Sequence, residues 1–287
     1  MGNQDFLIDN GVLVRYKGKD ASVVIPDSVS VIGKDAFIRR GFLENVVIPN
    51  GVTTIMAAAF DSCINLKSVS IAPSVTSIGN NAFIRCKNLE SITIPASVTS
   101  MGKWVFARCL SLNNIKVDED NPNYKSIDGD LYTKDGKIFL QYASGKGDKK
   151  FTMPGSVTKV FEWSFTDAKN LEEVVISDGV TKIDCGTFAN CDNLKRVIIP
   201  DGVTAIEEKA FAWCEKLRSP IIPPSVERIE AEAFMECSSI KELLIPDSVQ
   251  YIAKDSFDGC EKLTLKGYAG SYAGTYATEN LIEYEEL

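Results

Sequence analysis

The sequence predicts a repeat solenoid, a stack of 23-residue rungs in the mostly β (α+β) class, and three observations predict it. Phe37, Phe60, Phe83 and Phe106 lie 23 residues apart, and Phe165, Phe188, Phe211, Phe234 and Phe257 resume the same count after one interruption. Cys63, Cys86, Cys109, Cys191, Cys214, Cys237 and Cys260 each follow a repeat phenylalanine by three. Pro26, Pro49, Pro95, Pro154, Pro200, Pro223 and Pro246 close the strand of their circuits, with the proline displaced by one to Pro73 and replaced by Asp118 and Ser177 in the others. A fixed period in this range marks stacked units, none of which buries its apolar face alone. The expectation is one elongated domain over 1–287: an N-terminal hairpin cap (1–19), a first half-array (20–117), a β-meander insert (118–150), a second half-array (151–265) and a helical C-terminal cap (266–287).

The first element is a hairpin. Phe6-Leu-Ile-Asp-Asn-Gly-Val-Leu-Val14 places Asn10-Gly11 between two strand-forming runs, a dipeptide that favours the tight turn of a hairpin. It would cover the open edge of the first rung, since an exposed strand edge invites aggregation.

A rung is legible from Leu194 to Leu217. Val197 and Ile199 alternate with Arg196 and Ile198, the period of a strand with one buried face. Pro200 has no donor and ends the strand, and Asp201-Gly202 turns the chain. Val203 and Ile206 face inward on the second side; Ala210, Phe211, Cys214 and Leu217 then suit a helical or 3₁₀ turn over the core. The same second-side pair recurs, from Val29/Ile32 through Val249/Ile252.

Phe106 and Phe165 lie 59 residues apart, one repeat plus 36 more. Two Asp-Gly turns, at Asp128-Gly129 and Asp135-Gly136, predict a small antiparallel meander that projects as a decoration, with Gly145-Lys-Gly-Asp148 as a mobile return loop. After Gly267, Tyr268, Tyr272 and Tyr276 recur every four residues and give one face of a closing helix. A tyrosine ladder also suits sugar rings, but solenoid ends must be covered, and the cap is the stronger reading.

Composition narrows the function. The formal charge of -8 and the pI near 4.9 argue against nucleic acid or an anionic membrane as partner. No apolar run reaches the length of a transmembrane segment. Met1-Gly-Asn-Gln-Asp-Phe6 has neither a basic stretch nor an apolar core and is no signal peptide, which leaves a cytoplasmic protein or a surface protein whose leader has been removed. Seven cysteines locked to the repeat are read as buried free thiols, because neighbouring rungs point them in parallel, a poor geometry for bridging. Cys185 alone falls outside the pattern. With no histidine in the chain, a Cys/His zinc site and a Cys–His catalytic pair are excluded. The stretch from Asp118 to Asp130 lacks the spacing of a calcium loop and reads as turn chemistry. No catalytic residues, cofactor or metal are expected.

The pattern Leu-x-x-Val-x-Ile-Pro-x-x-Val-Thr-x-Ile-x-x-x-Ala-Phe-x-x-Cys-x-x-Leu resembles the BspA-type (Treponema-type) leucine-rich repeat family over roughly residues 20 to 265. The resemblance implies a right-handed leucine-rich-repeat solenoid with a parallel sheet on one side and a closing helix. Many members are surface or secreted proteins of host-associated bacteria, so it implies binding or adhesion at the cell surface.

The remaining signal lies on the outward strand positions. In the first half the outer pairs are Asn45/Val47, Ser68/Ser70, Ser91/Thr93 and Asn114/Lys116; in the second they are Glu173/Val175, Arg196/Ile198, Ser219/Ile221 and Glu242/Leu244. Val175, Ile198, Ile221 and Leu244 would align as an apolar ladder about 15 Å long at roughly 4.8 Å per strand. Exposed branched residues follow from β-propensity; an aligned row of them with charges alongside also resembles a binding patch. The expected function is non-catalytic binding of a protein or glycan by a monomer through this row, with a structural spacer, or an ancillary region of a larger surface-anchored or carbohydrate-active protein, as the alternative.

Overall fold

The computed structural model describes residues 5–218 and 220–287, which form two compact units, the described residues up to 135 with 141–146 and those of 136–140 with the described residues from 147 on. In the first, the hairpin Phe6–Asp9/Val12–Tyr16 turns at Asn10 and Gly11 with φ of 47° and 79°. Both values are left-handed, as the predicted turn requires. Val12–Tyr16 then pairs in parallel with Val31–Ile32, followed by Thr54–Ile55, Ser77–Ile78 and Ser100–Met101. The second side of the rung, legible in sequence only as an apolar pair, is thus itself a ladder. On the other side Ser22–Val24, Asn45–Val47 and Ser68–Ser70 form a parallel sheet, and Ser91–Ile94 pairs with Asn114–Val117. Val23, Val46 and Val69 stand in register 23 residues apart and face the core.

The second unit repeats the plan. Lys150–Thr152, Glu173–Val175 and Arg196–Ile198 make one parallel sheet, and Lys182–Ile183, Ala205–Ile206, Arg228–Ile229 and Tyr251–Ile252 make the opposite ladder. The array closes as Glu242–Leu244, Thr264–Gly267, the helix Tyr272–Glu279 and a last parallel strand, Glu283–Glu286. The helix is the crossover that two parallel strands need. Of the three tyrosines, only Tyr276 is buried: it meets Phe257 edge-on at 6.1 Å, while Tyr268 and Tyr272 are exposed.

The phenylalanines form two columns. Tyr16, Phe37, Phe60, Phe83 and Phe106 follow one another at 5.2, 4.8, 5.1 and 5.9 Å between ring centroids. Phe165 to Phe257 stack at 5.0, 5.4, 5.2 and 5.4 Å. Rings offset at this distance gain about 0.5–1.5 kcal/mol per pair beyond burial.

The segment around each phenylalanine is not the helical or 3₁₀ turn expected. Its N–H groups alternate between two partners. Ala210, Ala212 and Cys214 donate back three residues within their own turn, while Lys209, Phe211 and Trp213 donate to Ala231, Ala233 and Met235 of the next rung. Sending every second N–H outward forces left-handed backbone at Lys209 and Trp213, with φ of 57° and 60°, and the same two positions recur in most rungs. A non-glycine residue there carries roughly 1–2 kcal/mol of strain. Ala58, with φ of 55°, has no side-chain contacts beyond its Cβ to lose. Ala58→Gly is therefore expected to raise the stability of the first unit by about 0.5–1 kcal/mol, the relieved strain less the extra freedom of the unfolded chain. Urea denaturation checks it; a loss of stability would mean that the turn selects alanine for packing.

Side-chain bonds repeat with the rungs. Each column cysteine donates its S–H to the carbonyl of the previous rung's phenylalanine, from Cys63 to Phe37 at 3.0 Å through Cys260 to Phe234 at 3.2 Å. All eight cysteines are free and the seven of the column are buried. Ser74, Ser97, Ser225 and Ser248 donate to the valine carbonyl one rung back at 2.6–2.7 Å. These bonds account for the recurring Ser-Val dipeptide.

The insert is where expectation and structure part. It does contain an antiparallel hairpin, Tyr124–Ile127/Asp130–Thr133, but this is no projecting decoration. Ser126 receives the Val117 N–H and donates to the Ile115 carbonyl, so it completes the last strand of the first unit. Tyr132 and Tyr142 are buried. Phe139, in the second unit, pairs beside Val160 and stacks on Phe165 at 4.6 Å. The return loop is docked as well: a Cβ on Gly145 would lie 2.3 Å from the Ser111 carbonyl carbon, and Lys146 meets the buried Asp130 carboxylate at 3.0 Å. The segment reads as polar because its aromatic residues are spread among turn residues, yet those aromatics are what it buries.

Candidate functional site

The outward side of the three-residue strands in the second unit carries the residues singled out by sequence. Alternation along each strand turns Val174 and Val197 inward, so Glu173, Val175, Arg196 and Ile198 face out. The register aligns Glu173 with Arg196 and Val175 with Ile198. Glu173 also accepts Lys150 at 2.8 Å. That hydrogen bond, with the Arg196 charge beyond it, holds its carboxyl below the usual carboxylate range. Glu242 faces Lys266 at 3.1 Å, and Lys266 reaches Glu285 at 3.0 Å. The charges beside the apolar positions are thus bridged from strand to strand.

The apolar positions are outward but not one continuous ladder. Ile198 is 37% exposed, Ile221 76% and Leu244 45%, while Val175 is half-buried. Leu244 aligns with Lys266 in the closing sheet, and residues 220–222 are assigned to no strand. Pro220 explains the break. It takes the inward place held by valine in neighbouring rungs and is buried there, but it has no N–H to donate to a ladder. Ile221 consequently stands clear of the sheet and is the most exposed of the four. Ser219 lies outside the described residues.

Sequence reasoning passed over one feature of the first unit. Val24 and Val47 align on adjacent strands and are 54% and 43% exposed, beside Ser22, Asn45 and Ser68, which are joined by hydrogen bonds of 3.1 and 2.8 Å. Carrying the outer-pair register back one rung, to Ser22/Val24, would have found it. Among the described residues no His, Cys, Asp and Glu group is arranged to hold a metal ion, and no helix is long and apolar enough to cross a membrane.

These repeats match the family profile of the BspA type leucine rich repeat region, in six copies over residues 16–135 and 143–264. The chain belongs to the BspA-type leucine-rich repeat family. A comparison with curated proteins finds no match. Among solved structures, the pneumococcal vaccine antigen PcpA is similar at 23% identity and a TM-score of 0.80, over 93% of this chain and 79% of that one. A leucine rich cell surface protein of Faecalibacterium prausnitzii is similar at 24% identity and a TM-score of 0.76, over 98% and 96%. A leucine-rich repeat protein of Eubacterium ventriosum follows at 23% identity, a TM-score of 0.55 and 88% and 91% coverage. At these identities the BspA-type chain shares a fold with them.

Proposed function

We propose that this BspA-type protein is a non-catalytic binding protein of the cell surface, and that the outward sheet face of its second unit meets a protein or glycan. The observation that carries the reading is the set Ile198, Ile221 and Leu244, exposed on the outward side of the second unit with Glu173, Arg196 and Glu242 at neighbouring outward positions. An apolar centre with a polar rim is the anatomy of an interface. The inward neighbours Val174, Val197 and Leu243 already fill the core, so the outer residues need no rearrangement to bind. A surface location is supported by the descriptions of two structural neighbours as a vaccine antigen and a cell surface protein.

Ile198→Ser combined with Leu244→Ser tests it on an array of extracellular-matrix proteins and polysaccharides. The melting temperature is expected to stay within a few degrees, because exposed substitutions shift stability by only about 0.5 kcal/mol. Affinity for any ligand found by the parent protein is expected to fall roughly tenfold or more, the loss typical of interface-centre residues. Unchanged binding would move the partner to another surface; no ligand for the parent would favour a spacer role.

A further inference from the structure

The formal charge of -8 conceals a reversal between the two arrays. The turn segment that carries the phenylalanine occupies residues 33–43, 56–66, 79–89 and 102–112 in the first unit, and there seven basic residues stand against two acidic ones. The equivalent segments of the second unit, 161–171, 184–194, 207–217, 230–240 and 253–263, hold five basic and thirteen acidic residues. One structural position thus presents opposite charge in the two units. The position two residues after phenylalanine carries Arg39, Ser62, Arg85 and Arg108 in the first unit, and Asp167, Asn190, Trp213, Glu236 and Gly259 in the second, so its three cations are all in the first. The arginines hold φ of 57°, 61° and 62°, a conformation that asparagine or glycine meets at less cost. Backbone propensity therefore does not select them.

We infer that the turn side of the first unit binds a linear acidic polysaccharide through this arginine column, with Lys34 and Lys87 alongside. Arg39, Arg108, Lys34 and Lys87 are exposed. Arg85 is braced by Asp61, with contacts of 2.7 to 3.1 Å, and still shows 43% of its side chain to solvent. Rungs stack at roughly 4.8 Å, so Arg85 and Arg108 present guanidinium groups one rung apart and Arg39 lies two rungs before Arg85. A row of cations on one side, interrupted at Ser62, suits a polymer that carries repeated anions, and the guanidinium groups of Arg39 and Arg108 can engage sulfate or carboxylate oxygens in pairs. Single-stranded nucleic acid would also need exposed aromatic rings for its bases. The aromatic rings of these segments outside the phenylalanine column, Phe42 and Trp104, are half-buried, and Lys103 already lies over Trp104 at 5.9 Å from its ring centroid. A second copy is the less favoured occupant, since much of the second unit's acidic charge is already bridged, as in Lys169–Asp192 and Lys209–Glu232 at 3.0 and 3.1 Å.

Heparin is the probe. The full chain is expected to be retained on immobilised heparin at low ionic strength and released by salt, with affinity falling as ion pairs are screened. Arg39→Glu with Arg108→Glu should weaken binding by at least about tenfold. Glu236 already occupies the same rung position with φ of 60°, so the fold tolerates this residue there. Lys254→Glu with Lys262→Glu, an equal charge change on the turn side of the second unit, should leave binding unchanged. If the arginine double variant fails to fold, Arg39→Gln with Arg108→Gln provides the same comparison without charge reversal. Failure to bind heparin, equal loss from both double variants, equal affinity for duplex DNA, or a rise in mass at low salt that the arginine variant abolishes would each overturn the proposal. None of these results bears on the outward sheet face of the second unit.

Discussion

Phe139→Ala is expected to destabilise the second unit by about 3–5 kcal/mol, the range for deleting a fully buried aromatic side chain. Phe139 has no exposed surface, stacks on Phe165 at 4.6 Å and meets Phe151 edge-on at 5.5 Å. It thus begins the ring column that Phe165 continues, although it stands 26 residues before Phe165 rather than 23. Truncation would open a cavity at the end of that column and remove the ring against which Phe165 and Phe151 pack. Urea denaturation of the full chain, followed by tryptophan fluorescence, reads the effect. A cost below about 1 kcal/mol would show that the segment is a decoration after all, because only poorly packed aromatics are lost so cheaply.

The 23-residue period made the rung legible because every in-phase residue meets the same residue type above and below. Phe, Cys, Val, Ile and Pro at fixed offsets leave little freedom in which side chains face inward, and the burial of Val174, Val197 and Leu243 follows that alternation. Phe139 escaped the count because it reaches the column through a segment of different length. The left-handed residues escaped because their conformation is set by where alternate N–H groups find acceptors, a matter of neighbouring rungs rather than local propensity. At Pro220 the sequence did hold the answer. A proline at an inward strand position fills the core yet breaks the ladder, and the outward apolar row divides there. The charge reversal on the turn side was equally present, but net charge hides it; only counting by rung position reveals it.

The buried thiols predict a steep loss of stability at alkaline pH. Burial pushes Cys63 and Cys109 up to about 12 and Cys260 up to about 11, and carries Cys86, Cys214 and Cys237 well above the ordinary value of 9.0. The thiolate is disfavoured because its charge would sit in the apolar column, and only the protonated thiol can donate to the phenylalanine carbonyl of the rung before. A group whose folded pKa is raised stabilises the fold fully below its unfolded value. That stabilisation is lost as pH rises from about 9 toward about 12, since the unfolded chain releases its protons first. Each thiol costs the folded state about 1.4 kcal/mol per pH unit in that window. Three such thiols in each unit give on the order of 4 kcal/mol per pH unit, against a typical domain stability of about 5–15 kcal/mol. Under reducing conditions the unfolding free energy is therefore expected to be nearly flat from pH 7 to 8.5, then to fall within about two to three units as the unfolded thiols ionise. Disulfide-exchange titration at pH 8 should find the column cysteines unreactive in the native protein and reactive in denaturant, because the nucleophile is the thiolate. A slope of about 1.4 kcal/mol per pH unit or less would mean that at most one thiol is coupled to folding, and the column would then be open enough to admit charge or water.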